Sequence, residues 1–289
     1  MEIKRSYRRR GSPDFPMAVY ISEPSGIRLY NKPEYHPEPE IVLVEAGTVV
    51  LQLDSDVKTF RQGDIFSIPG NAVHCYRACS DDTVTVSLVF DTKTITLHPE
   101  HFFQKAFTQP LQEGHLRLPV LLQPGHPAYE AVYTGFQQFK QTRIYDKDYK
   151  LRRFTILIGL CAALLPYCTA VEKQSTDSYR SNEAVRLCMW YIHNKYMEKL
   201  TLEKLAEVCY LHPNYLCALF KEHTGQTVFE YLIRFRVETA AELLKTGDFP
   251  AGKVGEMVGF RSESLFYRQF KAIMGQTPKA YAKQFSDRK

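Results

Sequence analysis

The last hundred residues carry the same pattern twice, and a pattern that repeats folds as a repeat. Phe220-Lys221-x3-Gly225-Gln226-Thr227 returns fifty positions later as Phe270-Lys271-x3-Gly275-Gln276-Thr277. Upstream, Leu205-Ala206-Glu207-Val208-Cys209-Tyr210-Leu211 returns forty-nine positions later as Val254-Gly255-Glu256-Met257-Val258-Gly259-Phe260. The one-residue difference falls in a connecting turn. Each copy reads as a short helix, a tight turn and a second helix, the helix-turn-helix plan. The two helices can cross closely only over a small residue, and Ala206 and Gly255 hold that place. The turns carry Tyr210 and Gly259, and only the glycine favours left-handed backbone.

Helical periodicity separates the faces of each second helix. In the first copy Leu216, Leu219, Phe220 and His223 point inward, with Asn214, Cys217, Ala218 and Lys221 opposite. In the second, Phe266, Phe270 and Ile273 point inward, while Glu263, Ser264, Tyr267, Arg268 and Lys271 form the outward face. Amides, hydroxyls and cations on an outward helix face can bond base edges and phosphates in a major groove. An ordinary solvated face is the alternative for one copy; two in tandem favour nucleic acid. From residue 181 onward there are 16 Lys/Arg against 12 Asp/Glu, most of the chain's formal excess of +5. Lys4, Arg5, Arg8, Arg9 and Arg10 make residues 1–15 a basic arm or tail.

Residues 183–285 resemble the tandem helix-turn-helix domain of the AraC/XylS family of bacterial transcription regulators. The resemblance rests on Leu205-Ala206-Glu207, Tyr215-Leu216-x2-Leu219-Phe220-Lys221-x3-Gly225, a linking helix over 229–245 about 25 Å long, and Phe270-Lys271-x3-Gly275-x-Thr277-Pro278-x2-Tyr281. It implies double-stranded DNA as partner, RNA polymerase as a second partner, a homodimer, a small-molecule effector and an activator role. Two departures matter. The family's Ser-Arg on the first recognition helix is Cys217-Ala218, which puts base readout there in doubt while Arg268 keeps it in the second copy. The usual Ser cap is His212, followed by Pro213 at a tolerated first-turn position.

The rest of the chain has other periods. Residues 41–44, 49–53, 65–68 and 84–90 are β-branched runs punctuated by Gly47, Asp54–Asp56, Gly63 and Pro69–Asn71, the spacing of a small sandwich or barrel. Residues 128–143 and 148–167 switch to helical spacing around a polar turn at 145–147, predicting an antiparallel hairpin. Phe154, Leu157, Ile158, Cys161, Leu164 and Leu165 form a stripe wide enough either to cover the barrel or to meet a second copy. Residues 172–181 lack periodicity and read as a linker. The expected architecture is multidomain: basic arm 1–15, an all-β barrel 16–125, a helical hairpin 126–171 for dimerisation, linker 172–181, and an all-α reader 182–287.

Glu34-x-His36-x3-Glu40-x6-Gly47 with Gly63-x5-Pro69-x4-His74 resembles the two motifs of cupins, with Glu34 in place of the first His and Gly70-Asn71 in exchanged order. The resemblance implies that Glu34, His36, Glu40 and His74 either hold a metal, as imidazoles and carboxylates do, or line an effector pocket. Fusion to a DNA reader favours the pocket, without metal or other cofactor. Tyr20, Tyr30, Tyr35, Phe66 and Tyr76 lie near these motifs, and aromatics beside carboxylates and imidazoles suit a sugar or small polar metabolite, though core packing explains aromatics too.

At 289 residues, 44% hydrophobic and 24% charged, the chain excludes a disordered or collagen-like class. Seven dispersed cysteines without Cys-x-x-Cys read as reduced thiols of a cytoplasmic protein. The basic start has no apolar stretch behind it to make a secretory signal. The longest apolar run, 154–165, is too short for a membrane span. Three functions compete: an effector-responsive regulator without enzyme activity, a metal-dependent cupin enzyme fused to a reader, and a redox sensor working through Cys75 and Cys79 or Cys217. The first accounts for most of the chain.

Overall fold

The run Ile41-Val42-Leu43-Val44 has no polar alternation, so a strand built from it must be covered on both faces. The computed structural model, which describes residues 11–22, 33–171 and 176–286, shows that cover. Strands β1 (Met17–Ser22), β2 (Glu40–Ala46), β5 (Ile65–Ile68), β7 (Val84–Phe90) and β9 (Leu121–Leu122) form an antiparallel sheet in the order β1-β7-β2-β5-β9. Strands β3 (Thr48–Leu53), β4 (Asp56–Arg61) and β6 (His74–Cys79) form a second, in the order β4-β3-β6. Val42, Val44, Val49, Leu51, Phe60, Phe66 and Ile68 fill one core, joined by residues of both sheets. Residues of opposite parity, Ile41, Leu43, Ile65, Val86, Leu88 and Phe90, belong to the other core. There they meet Phe103, Phe107 and the helices α2 (Tyr129–Gln141) and α3 (Tyr149–Leu164), which follow the short α1 (Gln109–Gln112).

The hairpin of α2 and α3 shares its core with the larger sheet. Val132, Phe136 and Phe139 of α2 and Leu157, Leu160, Cys161 and Leu164 of α3 share the core of the larger sheet. A Cβ on Gly135 would come within 2.6 Å of the Leu160 side chain, so glycine sets the helix spacing. After α3, β10 (Thr169–Ala170) pairs with β8 (Leu116–Arg117). The boundary at 15 also shifts, because Phe15 is already buried in this core. Residues 1–10, with the basic cluster, lie outside the described residues.

Three longer strands escaped the periodicity reading. β4 is exposed except at Phe60, β6 mixes His74, Tyr76 and Arg77, and β1 is an edge strand. Each gains its order from pairing with a more apolar neighbour. Cys75 and Cys79 both sit on β6. Four residues of strand span about 13 Å, beyond disulfide reach, so they do not make a redox couple.

The two units of the chain divide between Tyr179 and Arg180, inside the segment read as linker. Helix α4 (Thr176–Lys195) begins within that segment. Its polar first turns are carried by the downstream buried stripe Val185, Cys188, Met189 and Ile192. Then follow α5 (Leu202–Val208), α6 (Pro213–Thr224), α7 (Val228–Thr246), α8 (Ala251–Met257), α9 (Glu263–Met274) and α10 (Pro278–Ser286).

The repeated letters correspond to repeated hydrogen bonds. Gly225 and Gly275 end α6 and α9 at φ 73° and 76°. Thr227 then caps α7 in a capping box with Glu230, and the Thr277 hydroxyl accepts from the Ala280 N–H at 3.3 Å. After α5, the Tyr210 N–H bonds the Glu207 carbonyl and the Leu211 N–H the Ala206 carbonyl; after α8, Gly259 and Phe260 bond Glu256 and Gly255 in the same way. Both are helix ends of the Schellman type with a left-handed residue, Tyr210 at φ 57° and Gly259 at φ 91°.

The equivalence of the two turns yields an asymmetric prediction. A Cβ at Gly259 would meet the Tyr196 carbonyl at 2.7 Å and the Met197 carbonyl at 2.9 Å. Gly259→Ala should cost about 2–4 kcal/mol from that clash and the left-handed strain. Tyr210 is 91% exposed, so Tyr210→Gly loses little packing. Relief of strain offsets the added freedom of the unfolded chain, leaving a net change within about 1 kcal/mol. Urea unfolding of both variants checks the contrast.

Candidate functional site

Two turns bring four polar side chains together in the barrel. The turn 69–72 approaches the 36–38 loop so closely that a Cβ on Gly70 would lie 2.2 Å from the Pro37 carbonyl. Asn71, at φ 65°, donates its N–H to the His36 carbonyl at 2.6 Å. Glu34 and His74 exchange backbone hydrogen bonds at 2.9 and 3.0 Å. Glu40 opens β2 and shares the parity of Val42 and Val44, hence their face of the sheet. The exchanged Gly70-Asn71 order is thus a working turn that seats His36 beside His74.

His36, Glu40 and His74 are 2%, 5% and 1% exposed. The Glu40 Oε2 lies 3.3 Å from His36 Nε2 and 3.8 Å from His74 Nε2, and Glu34 Oε1 lies 3.8 Å from His74 Nε2 at the more exposed side. The ring centroids are 5.0 Å apart, edge to face. His36 Nδ1 donates to the Glu38 carbonyl at 2.9 Å and His74 Nδ1 to the Ala72 carbonyl at 3.0 Å. A nitrogen bonded to a carbonyl carries the proton, so Nδ1 is protonated on both rings, and a neutral ring would turn its Nε2 lone pair toward Glu40. Neither Nε2 has a hydrogen-bond partner among the described residues. Burial, followed by the charge of His36, pulls His74 below the ordinary histidine value, favouring that neutral form. Burial alone would raise Glu40, but the adjacent His36, the charges of both imidazoles and the Ser87 hydroxyl outweigh it and lower the carboxyl to about 2.

Ligand atoms of His36, Glu40 and His74 all lie within 4.8 Å of one another. Two imidazoles oriented by backbone carbonyls around a carboxylate make the donor set of a first-row divalent metal. Of the other expected pocket residues, Tyr76 shares the parity of His74 on β6 and is half-buried. Tyr20 pairs with Ser87 on the edge strand and is 41% exposed, so it lies at the margin. Tyr30 is outside the described residues. Phe66 stacks on Phe60 at 4.0 Å and belongs to the core. Glu38, absent from the sequence reading, places Oε2 3.6 Å from His36 Nδ1. It also lines a groove of about 730 Å³ with Phe15, Asp91, Lys93 and, on α3, Lys150 and Phe154.

In the second unit the inward set Leu216, Leu219, Phe220 and His223 is buried, as are Phe266 and Phe270, while Ile273 is half-buried. Asn214, Ala218 and Lys221 on α6 are exposed and Cys217 is half-buried. His212 caps α6, its Nδ1 accepting the Asn214 N–H at 3.4 Å. Ser264, Arg268 and Lys271 on α9 are exposed. Tyr267 is less outward than expected, because its ring packs edge-on against Phe266, 5.7 Å between centroids. Glu263 leans over Gly252 of α8, where a Cβ would come within 2.8 Å of its carboxylate. Two exposed residues were missed: Tyr215, beside Asn214, and Arg261, just before the cap Ser262. Arg261 lines a cavity of about 570 Å³ with Lys253, Lys279 and Tyr267.

Unequal outward faces imply unequal readout. Arg268→Ala should cost about 1–3 kcal/mol of DNA binding and relax base preference beneath it. Cys217→Ala should change affinity by less than about 0.5 kcal/mol. Binding to duplex panels varied one base pair at a time checks both.

Residues 205–284 match a helix-turn-helix domain family and residues 28–90 the cupin domain family. The chain is 24% identical over 280 residues to the uncharacterized HTH-type transcriptional regulator YdeC of Bacillus subtilis (strain 168), covering 94% of each chain. It is 30% identical over 149 residues to YobQ of the same organism, also named as an HTH-type transcriptional regulator, covering 45% of this chain and 62% of that one. Among solved structures, the DNA-binding domain of AdpA in complex with a target DNA matches at 27% identity and TM-score 0.34, covering 37% of this chain and 95% of that one. Among the described residues no helix is long and apolar enough to cross a membrane.

Proposed function

Because the chain belongs to the AraC/XylS family of DNA-binding transcription regulators, we propose that it is gated by a ligand seated at His36, Glu40 and His74. The observation that carries this reading is the buried cluster itself: two imidazole nitrogens without hydrogen-bond partners, in a chain that also carries two DNA-reading helices. Buried polar atoms left unpaired cost about 1–3 kcal/mol each, which binding would recover. α6 and α9 read successive major-groove segments, and Asn214, Lys221, Ser264, Arg268 and Lys271 make the contacts. Occupancy of the barrel is passed from His36 through Glu38 to the groove against α3. Family resemblance supports a homodimer, an activator role and contact with RNA polymerase.

Two ligand classes suit the cluster. A sugar or other polar metabolite would bond the imidazoles and carboxylates through its hydroxyls. A divalent metal ion would be held by His36, Glu40 and His74, with Glu34 at the exposed side. When bound, the ion supplies fixed positive charge and an electrophilic centre for an oxygen ligand. The donor set favours the ion. In either case DNA affinity should change about 5–150-fold on binding, and by linkage DNA should change ligand affinity by the same factor. Titration of full-length protein with sugars, small polar metabolites and Mn(II), Fe(II) or Zn(II), followed by DNA-binding isotherms, tests this. Glu40→Gln should abolish the response and leave basal DNA binding intact. A barrel ligand that is turned over without changing DNA affinity would support the fused-enzyme reading instead.

A further inference from the structure

The first helix-turn-helix copy and the helix before it contain three of the seven cysteines: Cys188 on α4, Cys209 at the end of α5 and Cys217 on α6. Cys188 and Cys209 are 0% and 5% exposed. The Cys209 S–H donates to the Ala184 carbonyl at 3.5 Å. Ala184 lies one turn before Cys188 on the same face of α4, which brings the two sulfurs together. The neighbouring sulfurs shift each other in opposite directions: Cys209, with burial, holds Cys188 well above the ordinary thiol range, and Cys188 draws Cys209 down. Cys209, the less buried of the two, is the sulfur an oxidant meets first, and Cys188 is the resolving one. The second copy has Val258 at the position of Cys209. Packing alone does not require sulfur there.

We propose that Cys188 and Cys209 form a thiol–disulfide pair, oxidised by hydroperoxides, whose closure weakens DNA binding by the first helix-turn-helix copy. The Cys209 thiolate attacks the peroxide oxygen, giving a sulfenic acid and releasing hydroxide, or an alcohol from an organic peroxide. The Cys188 thiol then attacks that sulfur, forming the S–S bond and releasing water. With hydrogen peroxide the sum is two thiols and one peroxide giving one disulfide and two waters. A disulfide is about 2.05 Å long, much shorter than a thiol hydrogen bond, so closure draws the end of α5 onto α4. Cys209 is the cap of α5 and is followed by the left-handed Tyr210. Only Leu211 and the cap His212 separate that residue from α6. The displacement passes through this short turn to the recognition helix.

The test uses full-length protein, reduced or treated with equimolar hydrogen peroxide, and duplexes selected from a random-sequence library by the reduced protein. After alkylation and chymotryptic digestion, mass spectrometry should find the Cys188 peptide linked to the Cys209 peptide. DNA affinity should fall roughly tenfold and recover with dithiothreitol. Cys188→Ala should bind DNA as the reduced protein does and ignore peroxide, while Cys217→Ser should respond as wild type. Absence of the link once Cys217 is oxidised, a link with unchanged DNA affinity, or loss of the response in Cys217→Ser would each overturn the proposal. The link and the affinity change in the wild-type chain decide it even where a variant fails to fold.

Discussion

Inserting about five base pairs between the two segments read by α6 and α9 should lower specific affinity at least roughly hundredfold. The reason is the rigidity of what lies between the readers. Helix α7 has 19 residues, about 28 Å at 1.5 Å each. A capping box fixes its start and Gly247, at φ 74°, ends it. Its Tyr231 packs edge-on against Phe220 of α6, and its Val237, Ala240, Ala241 and Leu244 share a core with Phe266 and Phe270 of α9. Arg236 adds a clamp, donating to the Tyr196 and Glu198 carbonyls at 2.7 and 2.9 Å and lying 5.9 Å from the Phe260 ring centre. Half a helical turn rotates the second segment to the far side of the duplex, where this unit cannot follow. Binding then falls toward the sequence-independent level set by phosphate contacts. Unchanged affinity for the lengthened site would mean that the two readers move independently.

The helical half of the chain was legible because its local signals agree with its global ones. Gly225, Thr227, Gly275 and Thr277 are caps that state their role in the letters, and the inward residues of α6 and α9 follow from a 3.6 period. Tyr210 was less transparent: a tyrosine occupies the left-handed position that glycine fills in the other copy, and only the repeat register points to it. The barrel was half legible. β2 and β7 announce themselves as strands, whereas β4 and β6 depend on partners distant in sequence. Glu34, His36, Glu40 and His74 could be named from spacing. That His36 and His74 both turn unpaired Nε2 atoms onto one carboxylate could not, because it depends on where the Ala72 and Glu38 carbonyls lie. The side-chain positions of Tyr267 and Glu263 were hidden for a related reason. A helical wheel fixes the direction of Cα–Cβ, but ring and carboxylate positions are set by Phe266 and Gly252 on neighbouring surfaces.

Mn(II), Fe(II) or Zn(II) at a hundredfold excess over its dissociation constant should stabilise the barrel by about 2.7 kcal/mol, and His74→Ala should abolish that gain. Binding adds stability only through affinity for the folded state, and the ligand atoms of His36, Glu40 and His74 come together only there. The Nδ1 contacts with the Glu38 and Ala72 carbonyls already orient both rings, so little reorganisation opposes an ion. The pH dependence has a definite sign. His74 is pulled below its ordinary value of 6.5 by burial, so acid protonates it more readily in the unfolded chain. The barrel therefore loses stability as pH falls below 6.5. Glu40, lowered from 4.5 to about 2, adds a second loss as pH falls through that lower range. Protons also compete with the ion for both imidazoles, so the metal-dependent gain should shrink over the acid side of neutrality. Glu34→Gln should retain most of the gain, because Glu34 sits at the exposed side, 44% accessible, 3.8 Å from His74. Thermal melts of full-length protein and of each variant, with and without ion, read these differences directly. Equal stabilisation of wild type and His74→Ala would place the ion elsewhere, and stabilisation by a polar metabolite but by none of the ions would return the cluster to a metal-free pocket.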